Sequence, residues 1–249
     1  FEFIATCNVG GEFMSDDAVD RLTRLSKISW TRHFDDRLGL SEMEKQYLKD
    51  IPKPDLPCTE QLLADKAEHI IKRSINSNHS GESIHTVIPT PKYLFNRGEL
   101  YNLSIRKGTL SDEDRFIIND HIVQTILMLK KLPFPESLAR VTEYAGGHHE
   151  KMDGTGYPLG LSREELSLPA RIMAIADIYE ALTASDRPYK KAKTLTESLK
   201  IMSFMVKDQH IDADLFRLFL TSGVYQKYAD TFLDPSQIDE VDISDYLPA

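Results

Sequence analysis

Apolar residues recur three and four positions apart along this chain, with no competing run of alternating apolar and polar residues, and that pattern confines it to a helical architecture. The spacing appears in Ile118, Ile122, Thr125, Leu129 and Leu132, where Thr125 is the polar member, and again in Leu138, Val141 and Ala145. It returns in Ile201, Phe204 and Met205, and in Leu215, Leu218 and Phe219. Capping chemistry marks several helix starts: a Ser or Thr hydroxyl accepts an orphan N–H, and an acid three residues later bonds back. Ser41 with Glu44, Ser111 with Asp114, and Thr194 with Glu197 have that spacing. Pro135 and Pro169 suit first-turn positions, where a missing N–H costs little. The expectation is an all-α bundle with a smaller helical segment ahead of it.

The stretch from Asn76 to Pro91, rich in Asn, Ser and Gly and closed by two prolines, reads as a loop or linker. It places an N-terminal helical segment and linker at residues 1–92 and the bundle with its C-terminal tail at 93–249. Three upstream helices are expected near residues 16–29, 42–50 and 59–73. The tail after Leu233 is acidic and Pro-punctuated, which predicts a surface wrap. Cys7 and Cys58 are too few for a disulfide framework and have no metal-type spacing, so both read as packing residues of a reducing compartment. With 39 Asp and Glu against 30 Lys and Arg, the net charge of −9 argues against broad binding to a nucleic-acid polymer. No segment approaches the roughly 18 to 20 consecutive apolar residues of a spanning helix. A cytoplasmic protein without a membrane partner is the expectation. The first residue is Phe rather than Met, which leads to the expectation of a processed product or a piece of a longer protein.

Chemistry collects in the run from His148 to Pro158. His148 and His149 follow the stripe of Val141 and Ala145 and can both reach the bundle interior as neutral imidazole ligands. A His-His pair alone is more often an ordinary helix-end or core pair than a ligand pair. Asp177 lies within the apolar run Ile172 to Tyr179, where a buried carboxylate needs a metal or an Arg as partner. His121 falls between Ile118 and Thr125, where a core residue is expected. Three helices aiming ligand-type side chains inward favour a metal site over three separate hydrogen-bonded core groups. The loop Asp153-Gly154-Thr155-Gly156-Tyr157-Pro158 can hold a ring beside a base or bring backbone N–H groups to a phosphate. Arg187, Lys190 and Lys191 concentrate cations in an acidic chain, which reads as a place for a bound phosphate, with a solvated surface run as the alternative.

These motifs, His148-His149-Glu150, Asp153-Gly154, Gly156-Tyr157-Pro158, Ala176-Asp177, Ala181-Leu182-Thr183 and Asp186-Arg187-Pro188-Tyr189, resemble the HD-GYP phosphohydrolases from about Gly98 to Met205. The resemblance implies an all-helical metalloenzyme that hydrolyses cyclic dinucleotides, cyclic di-GMP or cyclic GMP-AMP, by attack of a metal-activated water. It makes His121, His148, His149 and Asp177 ligands of two or three divalent ions, iron or manganese in preference to zinc. It assigns Asp153, Gly156, Tyr157, Pro158, Arg187 and Lys190 to the substrate, with Arg187 shifted by one position because both Ala184 and Ser185 precede Asp186. The family's upstream ligands, a His and then a His-Asp pair followed by Gly-Lys, have no counterpart here. His33-Phe34-Asp35-Asp36 is the nearest string and reads as a solvated helix end. Residues 1–14, with Cys7-Asn8-Val9-Gly10-Gly11, resemble the stretch that follows the His-Asp region in a longer subgroup. The expectation is therefore that the first half of the site, and a sensor region, sit upstream on a longer parent, and that this chain alone binds metal only in part. A homodimer is compatible with the reading. The alternative is a degenerate module that keeps the helical shell and binds a nucleotide or a protein.

Overall fold

A computed structural model describes residues 1–73, 84–185 and 192–247. Helices dominate among them, accompanied by two small antiparallel strand pairs. The chain divides into two compact units, one of Phe1–His79 with Pro89–Ile118, the other of Ser80–Ile88 with Asn119–Ala249. The partition into an N-terminal segment with linker at 1–92 and a bundle at 93–249 stands as a proposal; compactness divides the chain elsewhere.

The first unit holds α1 (Glu2–Val9), α2 (Asp16–Ser26), α3 (Glu42–Tyr47) and α4 (Glu99–Leu103). Strand β1 (Ser29–Arg32) pairs with β2 (Cys58–Gln61), and β3 (Ile70–Lys72) pairs with β4 (Tyr93–Asn96). The helix expected over 59–73 is thus replaced by β2, a 3-10 turn at Ala67–His69, and β3. A buried ion-pair network explains the change. The Arg32 guanidinium, 4% exposed, donates to Glu60 across the strand pair at 2.8 Å, and Lys66 reaches the same carboxylate at 2.5 Å. A buried Arg requires such partners, and they lie too far along the chain for a helix to supply. The string His33-Phe34-Asp35-Asp36 follows a strand rather than ending a helix. Asp35 pairs with Lys53 and Asp36 with Arg32, so these carboxylates serve local ion pairs. Cys7 and Cys58 are unpaired thiols, each half-buried.

Helix α5 (Asp112–Lys130) carries residues of both units. Then follow α6 (Val141–Gly146), α7 (Leu168–Thr183), α8 (Leu195–Lys207), α9 (Ala213–Thr221) and α10 (Val224–Phe232). The three expected capping boxes are all present, with Ser41, Ser111 and Thr194 each exchanging bonds with the acid three residues on. Pro169 sits in the first turn of α7, whereas Pro135 caps only a 3-10 turn at Glu136–Leu138. The core of the second unit is built from Ile175 and Tyr179 of α7, Leu195, Leu199 and Met202 of α8, Phe216 and Leu220 of α9, and Ala229 of α10. On α8 and α9 the buried stripe is therefore rotated from the expected one: Phe204 and Leu218 are half exposed. The tail is also more than a surface wrap. Gln237 is buried and donates to the carbonyls of Thr183 and Lys193, while Ile238, Val241, Ile243 and Tyr246 pack on the core.

One buried carboxylate fastens three elements. Asp212, 1% exposed, caps α9 through the N–H groups of Asp214 and Leu215 and accepts from Arg163 at 3.0 Å and Arg171 at 2.5 Å. These donors outweigh burial and hold its pKa below the usual carboxylate value. Asp212→Ala removes the cap and leaves Arg171 with a partly buried, uncompensated charge. It is expected to lower stability by about 3 kcal/mol, read as the loss in unfolding free energy in urea.

Candidate metal centre

The histidine pair does not continue a helix. Helix α6 stops at Gly146, and His148 and His149 lie on the turn that follows. Gly146 and Gly147 are buried here because the backbone passes close to α5 and α7: a Cβ at 146 would stand 2.9 Å from the Ile126 side chain, and one at 147 would stand 3.0 Å from Ala170 Cβ. The close approach brings the turn beside His121 of α5. The ligand nitrogens of His121, His148 and His149 all lie within 4.8 Å of one another. His149 Nε2 and His121 Nε2 are 3.2 Å apart, and the rings of His148 and His149 are 4.2 Å apart.

The ring chemistry suits ligation. His148 Nδ1 contacts the carbonyl of Ala145 at 2.7 Å; as an acceptor that oxygen fixes Nδ1 as the protonated nitrogen and leaves Nε2 with its lone pair. Burial first, and then the neighbouring imidazoles, push the His149 pKa down to about 4, against an opposing pull from Asp177. His149 is therefore neutral at pH 7. His121 is exposed rather than part of the core, and the other two rings are half-buried, so the cluster is open to solvent.

Asp177 departs from expectation. It is exposed, because α7 buries the stripe of Ala170, Ala174, Ile175 and Tyr179 and turns Asp177 away from it. It stands outside the three-histidine cluster, yet its charge opposes the lowering of the His149 pKa and adds to the rise that burial causes at Tyr157. Proximity, not burial, is what ties it to the site.

The glycine loop closes over the same histidines. The Tyr157 ring stacks on His149 at 4.9 Å with the planes 20° apart, and the Tyr157 N–H donates to the His149 carbonyl. Gly156 has no alternative: a Cβ there would sit 2.3 Å from Lys151 N and 2.4 Å from Glu150 Cα, and neither backbone atom is free to swing away. Asp153 is exposed and spends Oδ1 on the N–H and hydroxyl of Thr155, which shapes the turn at Gly154, where φ is +77°. Pro158 is fully buried, and its carbonyl accepts from Thr86 and Val87. Beneath the loop lies Glu150, 1% exposed, whose carboxylate accepts from the N–H groups of Leu159, Gly160 and Leu161 at 2.7, 3.2 and 2.9 Å.

Arg187 and Lys190 lie outside the described residues. Three contributors went unseen in the residue pattern: the anchoring by Glu150, the strap at Thr86 and Val87, and His210, whose charge acts on His149. Glu150 stands next to the histidine pair in the motif, but its burial and its three backbone partners have no signature in the order of residues. The strap lies 72 positions from Pro158 and has no local signature.

An HD domain family model matches residues 57–215, well over half of the chain, so the chain belongs to the HD domain family. It is 38% identical over 121 residues to a cyclic di-GMP phosphodiesterase of Pseudomonas aeruginosa, an alignment covering 48% of this chain and 28% of that protein. It is 38% identical over 118 residues to 3'3'-cGAMP-specific phosphodiesterase 1 of Vibrio cholerae, covering 47% and 26%. With a cyclic di-GMP phosphodiesterase of Thermotoga maritima it shares 35% over 96 residues, covering 39% and 26%. The chain thus spans about a quarter of the length of these relatives. Among the described residues, no helix is long and apolar enough to cross a membrane.

Two measurements check this geometry. Gly156→Ala forces the loop off Glu150 and should cost at least about 2 kcal/mol, with loss of the Tyr157–His149 stack seen in the ring-proton shifts by NMR. In metal-free protein, His149 binds its proton less readily folded than unfolded, so stability present above about pH 6.5 is lost as the pH falls toward about 4 and levels off below. His149→Gln should flatten that slope in urea midpoints taken across the range.

Proposed function

We propose that this chain is the C-terminal part of a metal-dependent phosphodiesterase that hydrolyses cyclic dinucleotides, cyclic di-GMP or cyclic GMP-AMP. The observation that carries the reading is the convergence of three histidine nitrogens from α5 and the α6 turn within 4.8 Å, with one ring already held by a backbone carbonyl. The donor set fits a divalent cation: neutral imidazoles suit iron and zinc, carboxylate oxygen suits manganese, and an exposed carboxylate stands close enough to act on one of the rings. We assign His121, His148, His149 and Asp177 as ligands and, from the resemblance, favour iron or manganese, two or three ions in all. The names of the relatives support the substrate class.

When bound, divalent ions supply Lewis-acid stabilisation of phosphate charge and a water whose pKa falls from about 15.7 toward about 7. The chain's own residues do the positioning. Ala145 holds the His148 ring so that Nε2 stays deprotonated, and burial keeps His149 neutral. The Tyr157 ring, stacked on His149, forms one wall against which the substrate is seated. Asp153, Gly156 and Pro158 shape that wall and remain proposed substrate residues, as do Arg187 and Lys190 for the phosphates. A cytoplasmic location and an upstream region that completes the site belong to the same proposal.

His148→Ala and Asp177→Ala should each weaken Mn²⁺ binding by at least about tenfold, measured by titration calorimetry and by metal content after dialysis. Unchanged metal content in Asp177→Ala would remove that residue from the ligand set; unchanged content in both would overturn the metal centre.

A further inference from the structure

Pro158 has no N–H, so its carbonyl is the one backbone polar group by which that residue can be held. That carbonyl takes two donors from a segment far away in sequence: the Thr86 hydroxyl at 2.8 Å and the Val87 N–H at 2.9 Å. A single donor would have satisfied the buried oxygen; two occupy both of its lone pairs and fix the direction in which it points. The other end of the same peptide unit is held as well, since the Leu159 N–H donates to Glu150 at 2.7 Å. A peptide unit is planar, with C=O and N–H on opposite edges, so holding both edges sets its rotation.

That rotation reaches the aromatic ring of the loop. The pyrrolidine ring locks φ of Pro158, which leaves ψ as the single soft dihedral between the clamped unit and the carbonyl of Tyr157. On its other side Tyr157 is held by its own N–H, which donates to the His149 carbonyl. Its backbone is thus fixed before and behind, with the ring stacked on His149. The strap itself is seated by several contacts. Thr86 Oγ1 also accepts from the Ile88 N–H at 3.1 Å, Ile88 is 6% exposed, and Val87 lies against Gly160, where a Cβ would stand 3.3 Å from Val87 Cγ1. Residues 84–88 belong to no helix or strand, so these contacts are what hold the hydroxyl in place.

We infer that Thr86 is a positioning residue of the candidate centre: through the carbonyl of Pro158, its hydroxyl sets the Tyr157 ring against His149 as the surface on which a cyclic dinucleotide is seated. The seating rests on the function proposed above, whereas the effect on the ring depends on no substrate. Thr86 acts through Pro158 and takes no part in holding metal or in bond cleavage.

The test combines NMR with binding. In metal-free protein, Thr86→Val and Thr86→Ala, which both lack the hydroxyl, should lose the proton–proton contacts between the Tyr157 and His149 rings, and Thr86→Ser, which keeps it, should retain them. Alanine adds no atoms, so it remains informative if valine disturbs the strap. At saturating Mn²⁺, the two hydroxyl-free variants should raise the Kd for cyclic di-GMP about fivefold by titration calorimetry, the effect of one neutral hydrogen bond, and Thr86→Ser should stay within about twofold. Ring contacts that persist in Thr86→Ala, or a loss that Thr86→Ser does not restore, overturn the assignment, because the strap would then act by packing alone. Altered ring contacts with an unchanged Kd overturn the role in seating substrate. If the unsubstituted, metal-loaded chain does not bind cyclic di-GMP, the substrate class fails, and the ring contacts alone decide whether Thr86 positions Tyr157.

Discussion

A carboxylate with almost no access to water organises the centre. Glu150 gives up its hydration and recovers it from three successive backbone N–H groups, those of Leu159, Gly160 and Leu161. Burial drives its pKa up, and the three donors offset that only in part, a balance that holds only while the loop stays folded over it. Because Glu150 directly follows His148 and His149, the same contact that satisfies a buried charge also fixes the loop against the two rings. The stacking of Tyr157 on His149 and the absence of a side chain at Gly156 are consequences of that closure.

A second constraint operates from the opposite end of the histidine turn. Gly146 and Gly147 let the backbone approach Ile126 and Ala170 so closely that a Cβ at either position would force its neighbour to shift. The helix ends there, and the pair is delivered on a turn rather than on a helical face. Two packed contacts, one on each side of the pair, thus set where the imidazoles point. The Ala145 carbonyl holds the His148 ring and the Tyr157 stack holds that of His149 before any ion binds, which is the preorganisation that ligand sets need.

The legibility of the chain was uneven, and the pattern of success has a physical basis. Capping boxes at Ser41, Ser111 and Thr194 were readable because both partners lie within one turn of each other. Ile122 was correctly placed in the core, while Ile118, Phe204 and Leu218 were not, since periodicity identifies a stripe without saying which neighbouring element covers it. The helix expected over 59–73 was displaced by strand pairing that satisfies Arg32, a demand invisible to local propensity. Asp177 was taken as a buried carboxylate, and α7 turns it outward instead.

What the residues determined alone was the vocabulary: a helical chain, three histidines and a carboxylate with ligand chemistry, and a glycine loop beside them. These follow from short-range rules of spacing and side-chain type, which any chain expresses before it folds. Only the tertiary structure decided that His121 meets His148 and His149 and that Thr86 straps Pro158 from 72 residues away. Those meetings depend on long-range packing and on the satisfaction of buried charge, and neither is encoded in any window of neighbouring residues.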